Sequence, residues 1–187
     1  MIDVALKEWQ LVCDLMLEGR LGLLLRKGGV HERSGPGEFE LAHQRFALFP
    51  TWEHQKPDMV KPDWREGMEA REPRGIPFRG YGEAAGVWAA PGKPALDAID
   101  DLHPWTEAQI EMRLGYRPDR PLFLVAVRVH RLARPKTIAY RSAFAGCHSW
   151  VPLAEHEAVD PTGAVAAMGD EAFELLIARI EEAMGGR

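Results

Sequence analysis

Arg45-Phe46-Ala47-Leu48-Phe49-Pro50-Thr51-Trp52-Glu53-His54-Gln55 begins as an apolar strand and ends in a dense polar knot. Proline lacks the N–H that a sheet ladder needs, so Pro50 is expected to stop the strand. The chain would then deliver an indole, a carboxylate, an imidazole and an amide (Trp52, Glu53, His54 and Gln55) to one strand end, where sites commonly sit. Run back to Phe39, the alternation puts Phe39, Leu41, His43, Arg45, Ala47 and Phe49 on one face. His43 and Arg45 interrupt that apolar face. If it is buried, both need partners, because an unpaired buried charge is costly.

Upstream, Asp3 is a suitable N-cap for a helix over residues 4–18, with Leu6, Trp9, Cys13, Met16 and Leu17 as its buried stripe and Gly19 closing it. Leu21 to Lys27 is a near-continuous apolar run and reads as a buried strand. It ends in Arg26-Lys27-Gly28-Gly29. A Gly-Gly after a strand is ordinarily a turn, and the P-loop spacing is absent. Backbone N–H groups beside two cations can still hold an anion. Val30 to Gly37 reads as a loop.

Downstream, residues 56–77 carry four prolines and many charges, and predict an irregular excursion with at most a short helix over 64–70. Arg79 to Trp88 is a third strand, whose glycines at 80, 82 and 86 indicate a bulge, a bend or close backbone approach. A short helix is expected over 94–102. Thr106-Glu107-Ala108-Gln109 fits the capping box of a helix running to Leu114, with Trp105 and Ile110 as its hydrophobic staple and Gly115 closing it. Pro121 to Leu132 is apolar on both faces and reads as the central strand, followed by shorter strands over 137–141 and 149–153. Asp170 to Met184 is an amphipathic helix with Phe173, Leu176, Ile177, Ile180 and Met184 as its stripe. The order predicts an α+β fold, a small, mixed, mostly antiparallel curved sheet or barrel flanked by helices. It divides into residues 1–153 as a single domain and 154–187 as an acidic C-terminal helical extension packed on it. The arrangement loosely resembles PUA-like domains, which bind RNA or modified bases.

A chain of 187 residues with 46% hydrophobic and 27% charged residues has the composition of a globular domain, and no disordered or fibrous class fits it. Two cysteines make no disulfide framework. Cys13 reads as core, and the expected compartment is reducing, hence cytoplasmic. The N-terminus lacks the basic and apolar regions of a signal peptide, and no apolar run approaches the roughly 20 residues that cross a bilayer. The formal net charge of −5 is unevenly spread. Residues 113–141 carry eight bases against Asp119 alone, which is +7 and leaves −12 for the rest. Either those cations pair with acids elsewhere in the fold, or they form a patch for a phosphate or other anionic ligand.

Four segments occur in order: Ala5-Leu6-Lys7-Glu8-Trp9, Leu24-Leu25-Arg26-Lys27-Gly28-Gly29, Phe49-Pro50-Thr51-Trp52-Glu53-His54-Gln55 and Cys147-His148-Ser149-Trp150-Val151. Together they resemble the bacterial domain-of-unknown-function family 1802, over residues 5 to 153. The resemblance brings no assigned catalytic residues. Some members of that family occur with restriction-endonuclease-type domains, which implies a connection to nucleic acid.

Three chemistries compete. Metal-dependent nuclease or other hydrolase chemistry linked to DNA restriction or defence would need Glu32, Glu40 and Glu53 to converge with Lys27, at a spacing that matches no established motif. Zinc would draw on His31, His43, His54, Cys147 and His148, yet there is no CxxC and no HExxH, so no metal or other cofactor is assigned. The favoured reading is a nucleic-acid or nucleotide binding module with a basic and aromatic pocket at the strand ends. There, Trp52, Trp64, Trp88 and Trp150 would stack a base, and Arg26, Lys27, Arg45, Arg128 and Arg141 would hold phosphate. His43, Glu53, His54, Gln55 and His148 complete the candidate ligand-binding set. The partner is nucleic acid or another phosphate-bearing ligand, with no membrane; the oligomeric state stays open. A structural or protein-interaction domain is the remaining alternative.

Overall fold

The computed structural model describes residues 1–27, 42–69, 74–146 and 149–185. Its elements are β1 (Val4–Trp9), α1 (Gln10–Leu17), β2 (Leu23–Arg26), β3 (Arg45–Thr51), β4 (Gly75–Ala89), α2 (Lys93–Asp97), α3 (Glu107–Gly115), β5 (Phe123–Ala139), β6 (Trp150–Pro152), β7 (Val165–Ala166) and α4 (Asp170–Ala183). The fold is α+β, with a mostly antiparallel sheet flanked by helices. The strand order is β2-β5-β4-β3-β1-β6, and β7 pairs with β5. The β1–β3 ladder is parallel. Among the described residues no ladder joins β2 to β6, so the sheet is not closed. Nor is any described helix long and apolar enough to cross a membrane.

The first expected helix is half strand. Residues 4–9 pair with β3 on one side and β6 on the other, and the helix starts only at Gln10. Leu6 and Trp9 fit a helical stripe, but two ladders outweigh local periodicity. Val4, Leu6 and Trp9 pack with one core and Ala5 with the other. Gly19 takes its expected left-handed conformation after α1, at φ 75°.

Pro50 does not stop β3. It lies within the strand, in register with Glu8. Antiparallel pairing with β4 covers only Arg45 to Ala47, so at Pro50 the missing N–H costs no bond to that neighbour. Similarly, Pro135 does not divide β5. The ladder with β4 slips register between Phe78 and Gly80, and residues 132–135 lie in the slip without partners on β4. A second slip falls between Ala84 and Gly86. The glycines of β4 therefore mark irregularities, as expected of glycine in a strand.

The excursion before β4 forms two 3-10 turns, Pro57–Met59 and Pro62–Trp64, with Val60 bridged to Trp105. Beyond it, the predicted helix over 94–102 is α2 plus a 3-10 turn at Asp100–Leu102. Half of the α3 capping box forms: Thr106 Oγ1 accepts from Gln109 N at 3.4 Å, while the Thr106 N–H donates to the Met59 carbonyl at 3.1 Å and not to Gln109 Oε1. Of the remaining expectations, the Gly28-Gly29 turn, the loop over 30–37 and residues 39–41 of the second strand lie outside the described residues.

Two apolar cores result. One holds Leu6, Phe46 and Leu48 with α1, β2, the first half of β5 and Phe173, Leu176 and Ile180 of α4. The other holds Ala5, Ala47, Phe49, Ile76, Phe78 and Phe144. Gly82 is packed into the first: a Cβ there would lie 2.5 Å from Val127 Cγ1 and 2.9 Å from Phe46 Cε2. Gly82→Ala is therefore expected to destabilise the fold by about 1–3 kcal/mol through overpacking. Urea unfolding measures this, and an unchanged midpoint would show that the strands separate freely at this point.

Candidate nucleic-acid interface

Glu8 leaves the end of β1 beside the open edge of the sheet, and its carboxylate organises what surrounds it. Oε2 accepts from Arg26 Nη1 at 2.6 Å, and Oε1 accepts from Trp9 N at 3.2 Å. The two side chains are 9% and 13% exposed. Arg26 Nη1 also approaches the Lys7 carbonyl at 3.5 Å, so β2 is tied across the unpaired gap to β1. Lys7 itself turns its Nζ to the carbonyls of Phe144, at 2.5 Å, and Gly146, at 3.0 Å.

A second guanidinium comes from α3. Arg113 Nη1 donates to the Leu25 carbonyl at 2.5 Å, and its guanidinium lies 4.5 Å from the Trp105 ring centroid. Burial draws its pKa down to about 10; Glu8 opposes that shift and Arg26 adds to it. Arg113 therefore stays charged at neutral pH. Lys27 donates to the Leu114 carbonyl at 2.7 Å, a cation placed at the negative end of α3. Immediately past this helix, Tyr116 is 57% exposed. Arg117 holds a positive φ of 47° and sets its guanidinium 5.2 Å from the Tyr116 ring centroid. Exposed aromatic surface, two cations and a helix end are thus brought together.

Trp150 lies opposite Leu6 in the β1–β6 ladder. Its ring meets Phe46 edge-on at 5.3 Å and His43 at 5.0 Å. Its Nε1–H is buried without an acceptor. Arg26 reaches the carbonyl of Lys7, the residue after Leu6 on the same strand.

The polar knot lies past the far end of β3 from His43, and β3 itself, six steps from Arg45 to Thr51, spans about 20 Å at about 3.3 Å per residue. Gln55 serves α1: its Oε1 accepts from Leu11 N at 3.1 Å, and its Nε2 donates to Gln10 Oε1 at 3.2 Å and to the Glu69 carbonyl at 3.1 Å. Trp52 Nε1 donates to Glu69 Oε2 at 3.2 Å. Glu53 and His54 are exposed, and His54 adopts φ 61° at the turn.

The other predicted cations are held by acids. Arg45 pairs with Glu83 and lies over Tyr81. Arg128 pairs with Asp170 in the first turn of α4 and lies over Phe173. Arg141 forms two 2.9 Å bonds to Glu157. His148 lies outside the described residues, with Cys147, His31, Glu32 and Glu40. Among the described residues no three His, Cys, Asp or Glu side chains gather to hold a metal ion. Glu8, Arg113, Tyr116 and Arg117 are the additions that the structure makes. The last three lie in the basic segment, where an aromatic directly after a helix-ending glycine was the available signal; Glu8 was concealed by the helical reading of β1.

A family model described as a domain of unknown function, DUF1802, matches residues 5–179, which extends into α4. No curated protein matches the chain. Among solved structures the chain is similar to ASCH from Zymomonas mobilis, at 10% identity over 82% of this chain and 89% of that one, with a TM-score of 0.48. A point mutant of the same ASCH is similar at 11% identity over 84% and 94%, again with a TM-score of 0.48.

Removing one partner of a buried ion pair costs about 3–5 kcal/mol, whereas replacing both by apolar groups is often neutral. Glu8→Leu is accordingly expected to lower stability by that amount, because Arg26 and Arg113 lose their carboxylate. Adding Arg26→Met should recover part of it. Urea titrations of the single and double variants decide the matter: a single variant as stable as wild type would remove the carboxylate from its organising role.

Proposed function

The chain belongs to the DUF1802 family, a membership that assigns no reaction, and on its own geometry we propose that it is a nucleic-acid binding module. Its interface is the surface where β2 ends against the C-terminal turn of α3. The observation that carries this is Tyr116, 57% exposed with the Arg117 guanidinium 5.2 Å from its ring centroid, beside Lys27. A base stacks on an exposed aromatic for about 1–3 kcal/mol whatever its identity, while neighbouring cations take the phosphates. Single strands suit this surface, since only an unpaired base offers its face. Arg26 supports the surface from behind, through its buried bond to Glu8. A bacterial cytoplasmic setting, where nucleic acid is met directly, belongs to the same reading.

Fluorescence anisotropy with labelled single- and double-stranded DNA and RNA across a salt series tests the proposal. For single strands, log affinity should fall with log salt by about 0.7 per phosphate contacted. Tyr116→Ala is expected to weaken binding by about 1–3 kcal/mol. Arg117→Ala should reduce the salt slope by roughly one contact. Cleavage of the same samples on adding Mg²⁺ or Mn²⁺ would move the protein to the hydrolase reading. Absence of binding at low salt, or variants that bind like wild type, would overturn this interface and leave a structural or protein-interaction role.

A further inference from the structure

Two helices that pack on the same core each leave one face open to solvent. On α3, Met112 is 51% and Tyr116 57% exposed. Tyr116 donates its N–H to the Met112 carbonyl at 3.0 Å, so the two residues stand one turn apart. On α4, Leu175 is 62% exposed. It lies in a stripe with Glu171, Glu174, Ala178, Glu181 and Glu182, all exposed and at the spacing of one helical face. The opposite face of α4 is committed: Phe173, Leu176 and Ile180 are buried in the core that also holds Ile110 of α3. Arg179 adds a two-pronged bond to Asp101, in the turn before α3, at 2.6 and 2.7 Å. Anchored in this way, α4 cannot turn its outward stripe onto α3 of its own chain.

The two faces are alike in layout and opposite in charge. Residues 111–120 carry Arg113, Arg117 and Arg120 against Glu111 and Asp119, and Lys27 adds a fourth cation at the last turn of α3, a formal excess of +2. Among the described residues the Arg117 guanidinium meets the Tyr116 ring and no carboxylate. In α4, Asp170 is taken by Arg128 and Arg179 by Asp101. Among the described residues Glu171, Glu174, Glu181 and Glu182 enter no ion pair, which leaves the outward stripe at −4. Each face has an apolar centre, Met112 with Tyr116 on one and Leu175 with Ala178 on the other, beside its charges. An apolar centre within a polar rim is the anatomy of a protein–protein interface, and opposite potentials across it set partner and register.

We propose that the α3 face is covered by the outward stripe of α4 from a second copy of this chain. The partner's Leu175 packs against Met112 and Tyr116, and the partner's glutamates meet Arg117 and Lys27. Every copy carries both faces over the same core, so a twofold axis lets two chains exchange the contact reciprocally and the assembly closes as a dimer. The consequence regulates the nucleic-acid surface and rests on that reading: the partner's carboxylates and a strand's phosphates compete for the same cations, and the partner's Leu175 takes the ring on which a base stacks. The dimer is then the masked form and the monomer the binding form. Two short helix faces make a small interface, which is weak and transient, and its charge pairing is screened by salt.

Sedimentation velocity of the protein from about 1 µM to about 1 mM, the weak end of the affinity scale, tests the dimer. The wild type should pass from monomer to dimer within that range and stop at two. Salt at about 1 M, which screens charges beyond roughly 3 Å, should weaken the association. Leu175→Lys, at an exposed position of α4, should weaken it at least about tenfold, or about 1.4 kcal/mol, with unchanged urea stability. Arg117→Glu should act alike. An equimolar mixture of these two variants keeps one intact α3 face and one intact α4 face, and should associate more tightly than either variant alone. Anisotropy with a labelled single strand reads the masking: the strand should dissociate the wild-type dimer, and Leu175→Lys should bind it at least as tightly as wild type. A wild type that stays monomeric to about 1 mM, a dimer that Leu175→Lys leaves intact, or assemblies that grow past two would overturn the proposal. A dimer that carries the strand as readily as the monomer would overturn the masking. A dimer with no affinity for any strand would support the interface and remove the nucleic-acid reading alone.

Discussion

Two guanidiniums and one carboxylate hold the open side of the sheet together. Glu8 sits at the end of β1, Arg26 at the end of β2 and Arg113 on α3, and no backbone ladder connects those three elements to one another. Desolvating such charges is expensive, and their attraction repays it only when the geometry is good. Here the 2.6 Å Arg26–Glu8 bond, the Leu25 carbonyl under Arg113 and the Trp105 ring against the same guanidinium supply it. Loss of the one carboxylate would leave Arg26 buried without a partner, a large cost against the roughly 5–15 kcal/mol total stability of a domain.

The location of α3 decides where cations reach solvent. Lys27 rests on its last carbonyls, and Arg117 turns back over Tyr116 just beyond them. Elsewhere the basic segment is quenched by acids from distant parts of the chain: Arg128 by Asp170, Arg134 by Asp160 and Arg141 by Glu157. Exposed pairs such as Arg134–Asp160 contribute little to stability, typically below about 1 kcal/mol each, whereas the Glu157 carboxylate is buried. Their effect is on the field. They lower the charge of a segment that carries +7 in isolation by three, to +4.

The same helix has a different character at its start. Lysines there are matched by three carboxylates, and a neutral imidazole lies behind them. Within about 13 Å the surface passes from charge-balanced and concave to cationic and aromatic. The α3 capping geometry, with Thr106 Oγ1 receiving Gln109 N, keeps both ends in one rigid element.

Local signals were legible wherever the chain satisfies its own backbone groups. The capping box of α3, the glycine after α1, the irregularities of β4 and the apolar stripe of α4 follow from residues that are neighbours in sequence, and the α+β class follows from their order. Register, by contrast, is a matter of partners. Only the ladders to β3 and β6 make residues 4–9 a strand, and only the short reach of the β4 pairing lets Pro50 stay inside β3. The candidate site divides in the same way. Arg26, Lys27, His43 and Trp150 were identifiable as side-chain types at strand ends, but the separation of Glu53 and His54 from His43 is set by the length of β3. The sequence by itself determined the elements whose caps and stripes are local, the α+β class and the inventory of charges. The tertiary structure alone decided which charges cancel, because cancellation depends on distances between residues as far apart in the chain as Arg113 and Glu8, and Coulomb attraction acts through space and not along the backbone.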